Sequence, residues 1–390
     1  MEKTNRCNTP KEYTAFTPYR VCPLGAHVDH QLGKITGFAI DKGIHIAYGI
    51  NNDGTIEISS VQFDGVATWN VNSVPSIAVG DWADHLRGAT ISLSKRYSLH
   101  YGINAVIEGE LPIGGLSSSA AVIITFLTIL SQINEISLTE EELISLALEA
   151  ENDYVGVSCG KLDQCCEVYC RKDKLLYMDL KADTINLITA SASMPPYKIA
   201  IFFSGIRRSL VGTKYNARVE EAKAAACALL AYSGANLANY PNPCLSDVSE
   251  KTYLEYRDRL SEVLRKRADH FFGECKRVEQ GAIAWENGDL SEFGRLIFES
   301  GKSSVELWET GSDELKALYE IMTETEGIYG GRFSGAGFKG CCMAIINPDY
   351  EQEIIDSVRE KYIKKFPHLA NDFSAHICNT ADGVKLNSEN

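Results

Sequence analysis

The sequence predicts a protein of two domains in which strands and helices pack as α/β or α+β layers. Its 390 residues, of which 45% are hydrophobic and 23% charged, are enough for two or three globular domains with buried cores. The first half alternates short β-rich runs with helical stretches, which is typical of mixed layers and not of a helical bundle. The segment 193–197, with two successive prolines, interrupts this alternation. We therefore predict domains at 1–195 and 196–390.

Local patterns predict the individual elements. Runs rich in β-branched and aromatic residues predict the strands of the first half, at 44–50, 55–61, 66–71 and 103–109. Apolar spacing predicts a helix over 82–97 and another from Ala120. A third helix follows Thr139, which forms a capping-box pattern with Glu142, and Glu151 falls near its end. The second half is predicted as strands at 198–203 and 374–378, helices at 218–232, 262–287, after 289 and at 350–366, and a glycine-rich strand and loop at 329–346.

Charge and cysteine content narrow the class of protein. With 38 basic and 52 acidic residues the formal net charge is −14, which argues against nucleic acid or an anionic membrane as a partner but is compatible with a small anionic ligand. The most apolar run, 120–130, is shorter than the roughly 18 residues that a membrane span requires, and the N-terminus shows no signal-peptide pattern. The 12 cysteines form no CxxC pair, so we expect reduced, mostly buried thiols in a cytoplasmic protein.

The segment 111–121 is the most informative one for chemistry. Its two glycines let the backbone approach an anion closely, its three serines add hydroxyl donors, and the following helix offers unpaired N–H groups. These features predict a phosphate-binding loop, although the spacing is not that of a Walker A motif. A serine-rich helix cap after a tight turn would have the same composition, and the loop alone does not decide between the two.

Two further segments are unusual in composition. Arg20, His27, Asp29 and His30 crowd into the otherwise apolar stretch 19–33, which favours hydrogen bonding to a polar substrate over a metal site, because no second histidine cluster completes a zinc site. The stretch 332–342 combines three glycines with a following apolar run, and by itself it is also typical of a tight β-turn.

In this order and at these separations, the three segments resemble the GHMP kinase superfamily, and most closely its galactokinase branch. The segments 159–164 and 214–218 extend the resemblance, which covers the chain from Arg20 to the final strand. It implies an α+β fold in two parts, an N-terminal domain like domain 2 of ribosomal protein S5 and a ferredoxin-like C-terminal domain, with ATP and a sugar meeting in the cleft between them.

The resemblance also implies roles for individual residues. Asp163 would accept the proton of the sugar hydroxyl, and Arg20 would orient Asp163 and support the developing charge. Ser118 or Ser119 would hold Mg²⁺ together with Glu151, since a hydroxyl and a carboxylate are suitable oxygen ligands. The residues expected to bind ATP are Gly114, Gly115, Leu116, Ser117, Ser118, Ser119 and Ala120. The glycine-rich segment 334–340 would support this loop, with Lys339 facing either the phosphates or solvent.

The sugar site departs from the galactokinase pattern in one informative place. His27, Asp29, Gly160 and Tyr215 match positions that contact sugar hydroxyls, and Asp29 is expected to accept the 3-OH and 4-OH. Ala26, however, stands where galactokinases have a glutamate that contacts the C6 hydroxymethyl group. Its methyl group removes an acceptor and a negative charge, so the pocket would tolerate a sugar with a carboxylate at C6.

This departure makes the chain similar to galacturonokinases, which phosphorylate D-galacturonate at C1. Arg208, one of two successive arginines, would bind the carboxylate, although a solvated surface pair explains the two arginines equally well. D-Galactose is the alternative substrate, and a catalytically silent sugar- and ATP-binding regulator is a third reading that the retained Asp163, Glu151 and serine loop disfavour. A monomer is compatible with the sequence, which does not determine the oligomeric state.

Overall fold

The protein consists of two β-sheets, each with helices packed against it. The structure, a computed structural model, describes residues 13–206 and 211–384, the side chains of 211–214 excepted. The strands are β1 (Tyr13–Val21), β2 (Lys34–Asn51), β3 (Thr55–Ser60), β4 (Val66–Asn70), β5 (Gly102–Gly109), β6 (Lys174–Asp179), β7 (Thr184–Thr189), β8 (Lys198–Phe203), β9 (Ile328–Phe333), β10 (Cys341–Ile346), β11 (Ser374–Cys378) and β12 (Thr380–Ala381). The helices are α1 (Asp84–Ser94), α2 (Ser118–Ile133), α3 (Glu140–Glu149), α4 (Leu162–Tyr169), α5 (Val211–Tyr232), α6 (Glu250–Tyr256), α7 (Glu262–Glu286), α8 (Leu290–Glu306), α9 (Asp313–Thr323) and α10 (Glu351–Lys365).

The first sheet is organised around the long strand β2. The path β4-β3-β5-β2-β6-β7 forms the sheet, and β1 and β12 also pair with β2. Every strand pair in it is antiparallel except β3 with β5. Helix α2, whose buried face includes Phe126 and Leu127, contacts β1 and β2. The sheet and α2 thus hold the start of α2 close to the end of β1.

The second sheet has the ferredoxin-like arrangement that the resemblance implies. Its strand order is β11-β8-β10-β9, and all three pairs are antiparallel. Counted along the chain from β8, the order is four-one-three-two, and α10 connects the third strand to the fourth. The predicted two-part α+β fold is confirmed. The division at 195 stays a prediction, and the structure adds that β12, near the described end of the chain, pairs with β2 of the first sheet.

Local patterns located most elements correctly. Strands β8 and β11 have the predicted bounds, and α3 begins at Thr139 with a capping box in which the Glu142 amide donates to Thr139 Oγ1 at 3.1 Å. The sequence did not predict β1, which contains Pro18 and a register shift between Pro18 and Arg20. Glu151 also lies outside α3, in a π-helical turn at Ala150–Val155. Such turns are rare and have no simple sequence pattern.

The structure also bears on the cysteines and on the apolar helices. Among the described residues every cysteine is free, and most cysteines are buried. None of the helices in the described part of the chain is long and apolar enough to cross a membrane.

Candidate active site

The end of β1 and the segment that follows it bring four of the predicted residues to one pocket. Arg20 lies at the end of β1, and the chain then turns through Gly25 and His27, whose φ angles of 97° and 61° lie in the left-handed region. A short 3-10 turn carries Asp29. The side chains of Arg20, His27 and Asp29 are only 4%, 6% and 8% exposed. All three nevertheless line a single pocket, together with Ala26.

Arg20 and Asp163 form an ion pair in the wall of this pocket. Nε and Nη2 of Arg20 lie 2.8 and 2.7 Å from Asp163 Oδ1, and Nη1 donates to the carbonyl of Gly115 at 3.2 Å. Burial disfavours the charged guanidinium, but the neighbouring carboxylate outweighs it and raises the pKa of Arg20 above its ordinary value. Asp163 Oδ2 has no hydrogen-bond partner within the described ranges, so one oxygen of the carboxylate is held and the other is available.

The predicted phosphate loop leads into the N-terminus of α2, next to the ion pair. Gly114 and Gly115 have φ angles of 124° and 90°, and a Cβ atom at Gly115 would lie 2.7 Å from Cys341 Sγ. Only glycine therefore fits there without displacing a neighbour. Ser117 also has a positive φ angle, and its buried hydroxyl has no hydrogen-bond partner in the described part of the chain. The loop thus brings hydroxyls and the backbone N–H groups of a helix N-terminus together, and an anion is stabilised in such a place.

Not every residue of the loop offers a side chain. Leu116 and Ala120 are buried in the core, so their part in any phosphate contact is limited to the backbone. Ser119 lines the pocket that contains Asp163, and it also borders a neighbouring cavity, which Ser118 lines as well. That second cavity is partly apolar, and its wall includes Phe63 and Trp82, whose rings stack at 6.0 Å with an angle of 3°.

Glu151 is a buried carboxylate whose contacts are uncharged. It accepts hydrogen bonds from Gln164 Nε2 at 2.6 Å and from the thiol of Cys159, and the nearby hydroxyl of Ser119 also favours its ionised form. Burial, reinforced by the charge of Asp163, raises the pKa of Glu151 to about 7. A cation would stabilise its ionised form, and a carboxylate beside a serine hydroxyl is a donor set that Mg²⁺ accepts. The residues present therefore fit the ion.

The remaining predicted sugar residues line the same pocket as Asp29. A Cβ atom at Gly160 would lie 2.5 Å from Asp29 Oδ2, so the glycine is required for the close approach of that carboxylate. Burial, with the charge of Asp163, raises the pKa of Asp29 to about 6. Tyr215 lines the pocket from α5, and burial raises the pKa of its phenol well above the usual value. Ala26 is 7% exposed and also lines the pocket.

The third glycine-rich segment packs against the phosphate loop. Ser334 Oγ donates to the carbonyl of Gly115 at 2.6 Å, the same oxygen that accepts from Arg20. A Cβ atom at Gly114 would lie 3.1 Å from the Cα atom of Gly340. Lys339 is half-buried and is not among the residues that line the pocket. Arg208 lies outside the described residues.

Several pocket residues were not predicted from the sequence. Cys22, Asn216 and Phe333 line the pocket as ordinary core or helix residues with no pattern of their own. His30 was singled out but is not among the lining residues; its ring packs on Trp308 at 5.4 Å. Burial lowers the pKa of His30 to about 3, so the imidazole is neutral. In the sequence, the high proportion of polar residues in the segment 19–33 located that part of the site. It did not indicate which of those side chains point into the pocket.

Comparison with known proteins agrees with this geometry. The family model described as GHMP kinases N terminal domain matches residues 84–171, and the GHMP kinases C terminal model matches residues 282–364. A galacturonokinase of Arabidopsis thaliana is 36% identical, over 95% of this chain and 92% of its own, and a galactokinase of Clostridium acetobutylicum is 30% identical, over 96% and 94%.

Solved structures give the same family. Lactococcus lactis galactokinase complexed with galactose superposes with a TM-score of 0.86 at 25% identity, over 97% of this chain and 96% of that one. The Methanococcus jannaschii mevalonate kinase, at 16% identity and a TM-score of 0.63, shares the fold over 96% of this chain and 99% of its own. The chain therefore belongs to the GHMP kinase family, as a sugar kinase of the galacturonokinase and galactokinase type that transfers phosphate to an alcohol group.

Proposed function

We propose that the protein transfers the γ-phosphoryl group of ATP to the anomeric hydroxyl of D-galacturonate, giving α-D-galacturonate 1-phosphate and ADP. The observation that carries the proposal is Ala26, whose methyl group lines the buried pocket next to His27. A methyl group there leaves room for a carboxylate at C6 and presents no charge that would repel it. The greater identity to the Arabidopsis galacturonokinase than to the Clostridium galactokinase supports the same substrate.

Asp163 and Arg20 are the proposed catalytic residues. Asp163 accepts the proton of the C1 hydroxyl through its unpartnered Oδ2 while the hydroxyl oxygen attacks the γ-phosphorus. The bond between the γ-phosphorus and the β,γ-bridging oxygen breaks, and ADP leaves with the electron pair. Arg20 holds Oδ1 in place, and its positive charge offsets the negative charge that develops as the groups approach.

The loop from Gly114 to Ala120 is the proposed site of the ATP phosphates. Its backbone N–H groups and the N-terminus of α2 stabilise their negative charge. We place the nucleoside in the adjoining cavity, whose wall includes Phe63 and Trp82, because that cavity is continuous with the loop at Ser118 and Ser119. Glu151 and Ser119 are the proposed ligands of Mg²⁺, which neutralises phosphate charge when bound.

Asp29, His27, Gly160 and Tyr215 are the proposed sugar ligands. The ionised carboxylate of Asp29 is suited to accept two neighbouring hydroxyls, the 3-OH and 4-OH of a galacto-configured ring. Gly160 contributes by the absence of a side chain, which lets Asp29 approach the backbone. The role of Arg208 as a partner of the C6 carboxylate remains a proposal from the sequence.

One observation favours D-galactose as the alternative substrate. Among the described residues that line the pocket, the only cation is Arg20, and its bonds go to Asp163 and Gly115. A neutral sugar needs no further cation, and a water molecule in the space beside Ala26 would restore a contact with O6. A silent regulator has no such support, because Asp163, Glu151 and the serine loop converge on one pocket.

An initial-rate comparison tests the substrate. Purified protein is assayed with ATP and Mg²⁺ over a range of D-galacturonate or D-galactose concentrations, and kcat/KM is compared. We expect a higher kcat/KM for D-galacturonate, because Ala26 supplies no acceptor for O6 of galactose. A preference for D-galactose would reverse the assignment, and no turnover of either sugar would contradict the proposed reaction.

Sugar binding is expected to weaken as the pH falls through about 6. The pKa of Asp29 is raised to about 6, and the sugar hydroxyls bind the ionised form, so affinity is full above that pH. Each pH unit below it would raise the dissociation constant by up to about tenfold. Calorimetric titration of the sugar without ATP or Mg²⁺ measures this effect. The Asp29→Asn variant is the control, since its weaker binding would show no step near pH 6; an equal step in both proteins would exclude Asp29 as the origin.

A further inference from the structure

Helix α7 carries a row of polar side chains inside the protein. Arg267, His270 and Glu274 are all fully buried, and their spacing of three and four residues places them on one face of the helix. Buried polar side chains cost free energy unless they are hydrogen-bonded, so their partners show what the row does.

His270 and Glu274 hold two successive residues of the sugar-binding segment. Glu274 Oε1 accepts from the backbone N–H of Gly25 at 2.8 Å. His270 Nε2 lies 3.0 Å from the carbonyl of Ala26, and because a carbonyl can only accept, Nε2 carries the hydrogen. His270 Nδ1 is then the acceptor for the hydroxyl of Ser303 at 2.8 Å. The backbone on both sides of the Ala26 side chain is therefore fixed by a helix from the second half of the chain.

Glu274 is also linked to the phosphate loop. Arg332 Nη1 lies 3.3 Å from Glu274 Oε1, and the hydroxyl of Ser300 bonds to both side chains. Two residues after Arg332, Ser334 donates to the carbonyl of Gly115, which also accepts from Arg20. A continuous path of hydrogen bonds and backbone thus connects the sugar segment with the phosphate loop and the Arg20–Asp163 pair.

We propose that Glu274 is a positioning residue that fixes the sugar-binding segment relative to the phosphate loop. The carboxylate is not among the residues that line the pocket, so it acts through Gly25 and Arg332 and not on the reactants. Its Oε2 accepts from Nε and Nη2 of Arg277 at 2.8 and 2.7 Å. Both carboxylate oxygens therefore act as hydrogen-bond acceptors. A buried ion pair is a poor source of stability compared with apolar packing, which agrees with a role in placement. The identity of the two sites that Glu274 connects rests on the proposed function.

Three substitutions test the sugar-binding segment and the phosphate loop, which are the two ends of this path, separately and together. Glu274→Gln places an NH₂ group against either Arg277 or Arg332 and affects both ends. His270→Gln loosens the sugar segment, and Ser334→Ala acts at the other end, where it removes the bond to the carbonyl of Gly115. Glu286→Gln, at an exposed position at the end of the same helix, is the matched control. Dissociation constants are measured by calorimetry for the β,γ-imido analogue of ATP with Mg²⁺ and, separately, for whichever of D-galacturonate and D-galactose the wild type binds.

The expected result is a pattern across the variants. His270→Gln raises the dissociation constant of the sugar about tenfold and leaves that of the nucleotide analogue unchanged, Ser334→Ala does the opposite, and Glu274→Gln raises both. A Glu274→Gln protein that melts at a lower temperature but binds both ligands within twofold of the wild type would overturn the proposal, because that outcome describes a purely structural role.

If Glu274→Gln does not fold, Ser300→Ala removes the shared hydroxyl and keeps both charges; weaker binding of both ligands supports the proposal, and unchanged binding of both overturns it. If the wild type binds D-galactose and not D-galacturonate, the substrate assignment fails, whereas the pattern among the variants still decides the role of Glu274.

Discussion

Asp163→Asn is expected to abolish phosphoryl transfer while the protein still binds ATP and sugar. An amide cannot accept the proton of the C1 hydroxyl, and general-base catalysis contributes about 10²–10⁴-fold to such reactions. We expect kcat to fall by about that factor in assays at saturating substrates. The side chain keeps its shape, and Asn Oδ1 can still accept from Arg20, so the dissociation constant of the nucleotide should change less than about threefold.

The control for this variant is Asp183→Asn. Asp183 is exposed and pairs with Lys161, and neither residue lines the pocket. Its substitution should leave kcat unchanged. If Asp163→Asn retained more than a tenth of the wild-type kcat, the assignment of Asp163 as the base would be wrong. A joint loss of nucleotide binding would instead point to a structural role for the Arg20–Asp163 pair.

Ala26→Glu is expected to reduce the use of D-galacturonate by about 100-fold or more in kcat/KM. The new carboxylate would lie in the buried pocket wall and face the carboxylate at C6, and such like-charge contacts cost several kcal/mol. Turnover of D-galactose should improve or stay level, because the glutamate supplies an acceptor for O6. Steady-state kinetics with both sugars measures the reversal of preference.

Ala26→Gln separates charge from volume in this prediction. Glutamine fills nearly the same space as glutamate without a negative charge, so its effect on D-galacturonate should be at least about tenfold smaller. Equal losses for the two variants would mean that the pocket is simply blocked. An unchanged preference in Ala26→Glu would show that Ala26 does not lie near C6 of the bound sugar.

Local sequence was enough to locate the elements whose signals are local. The apolar run after the two prolines predicted β8 with its observed bounds, and a final strand was expected near 374–378, where β11 lies. The Thr139–Glu142 capping box marked the start of α3. Strand β1 was not predicted, because Pro18 and the register shift after it break the pattern that a strand normally shows. The π-helical turn that carries Glu151 continues a helical sequence and differs from it only in hydrogen bonding.

For the candidate site, too, sequence and tertiary structure each supplied a different part of the description. The resemblance of three ordered segments to the GHMP kinases indicated the reaction class, and Ala26 raised the question of the C6 substituent. The tertiary structure decided which charges meet. Arg20 pairs with a carboxylate 143 residues away, and burial beside Asp163 sets the raised pKa values of Asp29 and Glu151.

The buried polar row on α7, formed by Arg267, His270 and Glu274, shows most clearly what the sequence could not predict. In the sequence, His270 and Glu274 have the spacing of an ordinary solvent-facing helix surface, and their partners Ala26 and Gly25 lie 244 and 249 residues away. Helical periodicity indicates which residues lie on the same face of a helix, but it does not indicate which part of the protein that face contacts. Sequence by itself therefore determined the family, the motifs and the substituent question, whereas the burial and hydrogen bonding that position the sugar segment depend on long-range packing, which only the folded chain shows.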